Sequence, residues 1–186
     1  MTKYMPDAYL DYALNQLSTD AETVAICNAA PTTYFNCAKG VVWEASDAVI
    51  LGEVRYPQTW NDFVYECIVA GTTGATEPAW GTSQDDEFTD GSVTWKTHEN
   101  YSLVNDTIGA ATITSETFGK RLTFAGMTGA LTHTGGTVTH TAIMSDTNQE
   151  LLYVIEASTT EAGTNDVLAG RIAQINDIII DRNDLS

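Results

Sequence analysis

Between Phe63 and Trp95 the chain carries its most informative pattern, one that confines the backbone to tight turns between strands. Phe63-Val64-Tyr65-Glu66-Cys67-Ile68-Val69 is an alternating run and reads as a strand. It is followed at once by Gly71-Thr72-Thr73-Gly74-Ala75-Thr76-Glu77-Pro78-Ala79-Trp80 and then by Asp90-Gly91-Ser92-Val93-Thr94-Trp95. The glycines permit tight turns with positive φ, while Pro78 fixes its own φ and pushes Glu77 toward extended geometry. Trp80 and Trp95 supply two large apolar anchors to a unit too short to build much core without them.

Composition extends the β reading to the whole chain. Of 186 residues 28 are threonine, whose branched Cβ suits a pleated, half-solvated surface. One helix is expected, from Ala8 to about Leu17 behind Pro6-Asp7, because Leu10, Ala13, Leu14 and Leu17 recur at helical spacing. Thr23–Asn28 reads as a strand and Pro31–Tyr34 as a turn. Val41–Trp43 and Val49–Leu51 are short β-like pieces, Tyr56-Pro57 a connection, and 82–92 a long acidic loop. Beyond residue 101 the chain turns to regular Thr-rich alternation. Strands are expected at Ala111–Thr114, Lys120–Phe124, Thr137–Met144, Leu151–Ile155 and within Arg171–Asp181, with glycine-broken loop over 126–136 and polar loop over 158–169. Strands of this length at this spacing predict a mainly β fold: an antiparallel sandwich or barrel with one short N-terminal helix.

Twenty-five acidic against eight basic residues give a formal charge of −17. Phosphate binding needs clustered Lys and Arg, so the charge argues against a nucleic-acid groove and against an anionic membrane surface, and neither partner is expected. Cys27, Cys37 and Cys67 have no metal spacing and read as buried, reduced thiols, a Cys27–Cys37 disulfide being the alternative. Residues 1–6 show no basic stretch leading into an apolar one, so no secretory signal is expected.

Chemistry-bearing patterns are sparse. No Gly-x-Ser-x-Gly or Cys-His signature occurs, and no enzyme activity or cofactor is expected. His140 reads as a structural histidine; His133 and His140, seven apart across a Gly-Gly break, would form a metal site only if a hairpin joined them with a carboxylate. Asp85, Asp86, Glu87 and Asp90 read as a solvated loop. The alternative is a calcium loop of oxygen ligands, although the spacing lacks the alternation and closing Glu of an EF-hand. Trp80 and Trp95 read as core; exposed on one face, they would instead stack on sugar rings.

The segment 60–95 resembles a small β-module that recurs in tail, fibre and head-associated proteins of tailed bacteriophages. A second resemblance runs through Ala8 to Asn15, Val24 to Tyr34, Gly119 to Thr123, Gly136 to Ser145, Glu150 to Val154 and Ile172 to Ile180. Together these blocks are similar to small virion structural proteins of such phages, in whose shorter forms the first block runs almost directly into the second. The resemblance implies a β-sandwich core from 1–39 and 101–186, with 40–100 as an inserted β-module. It implies a virion location and a structural role, foremost as a capsid decoration or cement protein and otherwise in the tail, neck or fibres; a carbohydrate-binding adhesion module is the reading from another class. The partners implied are the major capsid protein or other virion proteins, with homo-oligomers natural for such a role. Contacts would be made by the N-terminal segment, through Tyr4, Tyr9, Leu10 and Leu14, and by an edge strand.

Overall fold

The computed structural model describes residues 7–116, 119–131, 134–157, 166–167, 172–175 and 178–182. The fold is mainly β, built from several antiparallel sheets with one helix near the N-terminus. At its centre lies a four-stranded antiparallel sheet in the order Glu150–Glu156, His140–Ser145, Thr23–Cys27, Ser102–Thr107. All five residues of Thr23–Cys27 are buried, which explains why that strand lacks polar alternation: both of its faces are covered.

Successive residues of this strand feed two different cores. Val24 and Ile26 point into one with Leu14, Leu103, Val104, Leu122, Phe124, Ile143 and Ile180. Ala25 and Cys27 point into the other with Ala142, Met144, Tyr34, Cys37, Ala38, Val54 and Val64. The first core is closed by the helix Asp7–Asp20 and by a three-stranded sheet of Ala111–Glu116, Gly119–Phe124 and Ile178–Arg182. Bulges place the extra residues: Leu103 lies between Ser102, opposite Cys27, and Val104, opposite Ile26.

The second core is closed by a five-stranded sheet ordered Val41–Val42, Val54–Tyr56, Phe63–Val69, Val93–Glu99, Glu87–Asp90, antiparallel except for the first pair. Val54 and Val64 face the central sheet from here. On the opposite face Tyr65, Cys67, Val93 and Trp95 build a third core with Trp43 and Val49, against which Phe63, Trp80 and Phe88 pack. Residues 41–99 thus have a sheet and a core of their own, and share the second core with the rest of the chain.

Several expectations are corrected. The helix runs on to Asp20, because Ser18 and Thr19 hydroxyls bond back to the Asn15 carbonyl at 2.9 and 2.8 Å and so remain satisfied in a helical turn. Ala13, expected on the apolar face, is exposed. Tyr56 belongs to a strand, and the acidic loop contains the strand Glu87–Asp90, paired with Val93–Lys96. The glycine-rich stretch contains Met127–Leu131, a strand paired with Ile172–Ile175. Pairing across a sheet sets these segments, and it overrides their local turn composition.

Candidate functional site

The 71–95 motif is an interlock in which its two halves fit each other. A Cβ on Gly71 would lie 2.5 Å from Ser92 Oγ, and one on Gly74 would lie 2.6 Å from Asp90 Oδ1. Gly91 has φ +63°, and a Cβ there would meet the Thr72 carbonyl oxygen at 2.3 Å. Close approach of two backbones is what excludes side chains at these positions. The turn is then stitched: Ser92 N–H donates to Thr72 O at 2.9 Å, and Thr72 N–H donates to Ser92 Oγ at 2.8 Å.

Asp90 is the keystone of the interlock. It is 5% exposed; Oδ2 accepts from Trp43 Nε1 and Oδ1 from Gly74 N–H, each at 2.8 Å. Thr73 extends the tie to the 44–47 loop, donating its hydroxyl to Glu44 O at 2.7 Å and accepting from Asp47 N–H at 2.8 Å. Glu77 anchors the following strap, its Oε1 accepting from Trp80 Nε1 at 2.9 Å and from Gln58 N–H at 2.8 Å. Tyr65 donates to Gly81 O at 2.7 Å beneath it.

Trp80 and Trp95 pack into the protein. Trp95 is 0% exposed, which removes it from any sugar-stacking platform. Trp80 is half-buried, its ring centroid 4.3 Å from Tyr65, 5.7 Å from Phe88 and 6.2 Å from Trp95. The apolar face that the two tryptophans share is the third core.

The four acidic residues proposed as calcium ligands diverge. Asp90 is turned inward and both its oxygens are engaged, as above. Asp85 pairs with Lys96 at 2.9 Å, whose hydrogen bond holds its carboxyl below the usual range. Asp86 and Glu87 are exposed. Among the described residues no group of three His, Cys, Asp or Glu side chains converges on a metal-sized site.

Of the expected contact residues, Leu14 is 1% exposed and belongs to the first core, so it is not available to a partner. Tyr4, and the side chains of Tyr9 and Leu10, lie outside the described residues. His133 does too; His140 accepts or donates at Nδ1 to Thr139 Oγ1 at 2.9 Å. All three cysteines are free and buried, as the reduced-thiol reading expects and against the alternative Cys27–Cys37 disulfide; burial pushes the Cys27 thiol up to about 12 and raises Cys37 and Cys67 as well.

Two polar centres escape sequence reasoning. Arg55 is 6% exposed and fans out to Asp47 Oδ2 at 2.7 Å, Glu53 Oε1 at 2.6 Å and Val42 O at 3.1 Å. His98 is 7% exposed, stacks on Phe35 at 3.9 Å and bonds Glu66 Oε2 through Nε2 at 3.0 Å. Burial lowers its pKa against the opposing pull of Glu66. Once Phe63–Val69 and Val93–Glu99 are paired, Glu66 stands opposite Lys96 and Val64 opposite His98, so register is the signal that would have found this pair.

No helix among the described residues is long and apolar enough to cross a membrane. The fold and its ties define a layered, mainly antiparallel β protein in which buried polar groups such as Asp90, Thr73 and Arg55 cross-link loops. No protein-family model, curated protein or solved structure matches the chain.

Proposed function

We propose that this chain is a non-enzymatic structural component of a tailed-phage virion, foremost a decoration or cement protein that stabilises the head by binding between capsid subunits. The observation that carries the reading is the interlock of Gly71, Gly74, Asp90, Gly91 and Ser92. The residues that bear the phage-module resemblance are the ones that make the module fold, so the likeness concerns a folding unit. The formal charge of −17 supports a solvent-facing position on a large particle. Buried side chains with catalytic chemistry, such as His98, Asp90 and Arg55, each hold a loop or strand in place, which favours a passive role. The burial of Trp95 removes the support for a glycan platform.

The mechanism is summed contact. A stiff β scaffold presents preformed surface to neighbouring subunits, and each contact resists the outward pressure of packaged DNA. The test is fractionation: virions are purified, heads separated from tails, and each quantified by mass spectrometry. The reading expects the chain in the head fraction in fixed ratio to the shell subunit. Enrichment with tails would move it to the tail, neck or fibre role, and absence from both fractions would overturn the virion reading.

A further inference from the structure

One turn of the module presents apolar side chains to solvent in a way that the fold itself does not require. Ile50 and Leu51 are 71% and 69% exposed, and Val69 on the neighbouring strand is 51% exposed. The two segments run side by side: Val49 pairs with Gly71, Gly52 N–H donates to Cys67 O at 2.8 Å, and Cys67 N–H donates to Glu53 O at 2.8 Å. Ala48 and Ala70, also exposed, complete the strip. Single exposed aliphatics are ordinary, but several on two adjoining segments mark a contact surface.

The turn is also held in one shape. Glu53 N–H donates to Ile50 O at 3.2 Å, and Glu53 Oε2 accepts from Ile50 N–H at 3.2 Å. From the turn that joins two strands of the central sheet, Gln149 Nε2 donates to the Gly52 carbonyl, and Gly52 itself has φ +81°. Glu53 Oε1 is fixed in turn by Arg55. A surface ordered beforehand binds without losing conformational freedom at that moment.

Charge selects the partner. Glu44, Asp47 and Glu53 flank the turn in sequence, and Glu150 adjoins the Gln149 that clamps it. Arg55, the cation of this stretch, is 6% exposed and bound to Asp47 and Glu53. A second copy meeting this face through a two-fold axis would set the same carboxylates against each other, which like-charge repulsion opposes.

We propose that the Ile50–Leu51 turn with Val69 is the apolar centre of a protein–protein contact whose partner offers an apolar pocket rimmed by lysine and arginine. The inference rests on the virion reading, which locates that partner in the capsid shell.

The probe is shells assembled without this chain, titrated with the wild-type protein, with Ile50→Ser/Leu51→Ser, and with Val69→Thr. Exposed substitutions of this kind leave the melting temperature within about 2 °C, which calorimetry checks. The double variant is expected to bind roughly 10- to 100-fold more weakly, Val69→Thr a few-fold more weakly, and wild type to weaken as salt rises. Wild-type binding matched by the folded variants overturns the contact and leaves the virion reading standing. Sedimentation that shows a wild-type oligomer dissolved by the double variant identifies a second copy as the occupant and overturns the basic partner. No wild-type binding to shells overturns the decoration reading and this assignment together.

Discussion

Asp90→Ala tests whether the 71–95 motif is held together as described. The substitution leaves two donors without an acceptor: Trp43 Nε1, on a side chain 2% exposed, and Gly74 N–H. A hydrogen bond to a charged acceptor contributes about 1.5–3 kcal/mol, and a buried donor left unpaired costs about 1–3 kcal/mol. Two such losses amount to about 3–6 kcal/mol, offset in part because a buried carboxylate no longer has to be desolvated. The net expectation is about 3 kcal/mol, or about 6–12 °C in melting temperature for a chain of this length. Urea denaturation at pH 7, followed by circular dichroism and tryptophan fluorescence, measures it. Asp90→Asn still fails one donor, since its amide presents an NH2 to either Trp43 or Gly74, so about half the loss is expected. A cycle with Trp43→Phe is expected to show about 1–2 kcal/mol of coupling. Loss below about 0.5 kcal/mol for Asp90→Ala, or an additive cycle, would refute the keystone role.

Gly91→Ala, with its Cβ directed at the Thr72 carbonyl and a left-handed φ, is expected to cost at least about 2 kcal/mol by the same urea assay, whereas Gly52→Ala, whose Cβ would sit 3.6 Å from Gln149, is expected to cost less. Burial, the largest influence, holds the folded His98 pKa below the ordinary histidine value of 6.5, so the unfolded chain binds more protons beneath that pH. The stabilising contribution of neutral His98 is therefore present above about pH 6.5 and is lost as pH falls through the folded value, at up to about 1.4 kcal/mol per pH unit. Measured between pH 7 and 5, the stability gap between wild type and His98→Asn should narrow; a gap that widens contradicts the burial argument. Cys27, Cys37 and Cys67, buried and with raised pKa values, should resist a thiol reagent at pH 8 until urea is added, when all three react. Calcium and EDTA should each leave the melting temperature within about 1 °C; a rise of several degrees with calcium would mean the 85–90 carboxylates converge on an ion after all.

Sequence made some of this architecture legible and hid the rest for identifiable reasons. Phe63–Val69 reads correctly as a strand, although its burial does not strictly alternate, since Val64, Tyr65 and Cys67 are all covered. Trp95 as core follows from the size of the unit it must hold together. The strand Glu87–Asp90 escapes because Asp and Glu disfavour strands; pairing with Val93–Lys96 across the Gly91 turn overrides that preference. Arg55 and His98 are invisible in a linear reading, since their partners Asp47, Glu53 and Glu66 are defined by strand register. Leu14 illustrates the opposite failure: its helical spacing identifies an apolar face, but spacing alone does not say whether that face meets the chain's own core or another subunit. The exposed Ile50 and Leu51 look in sequence like one more short strand, and only the turn at Gly52 shows that they point to solvent.

Cryo-electron microscopy of purified virions measures directly where the protein sits, and the decoration role has a definite expectation there. It predicts density over the head lattice that fits the layered β fold, with the Ile50–Leu51 turn against a lysine- and arginine-rimmed pocket of the shell. Particles whose every density is filled by other proteins would contradict it.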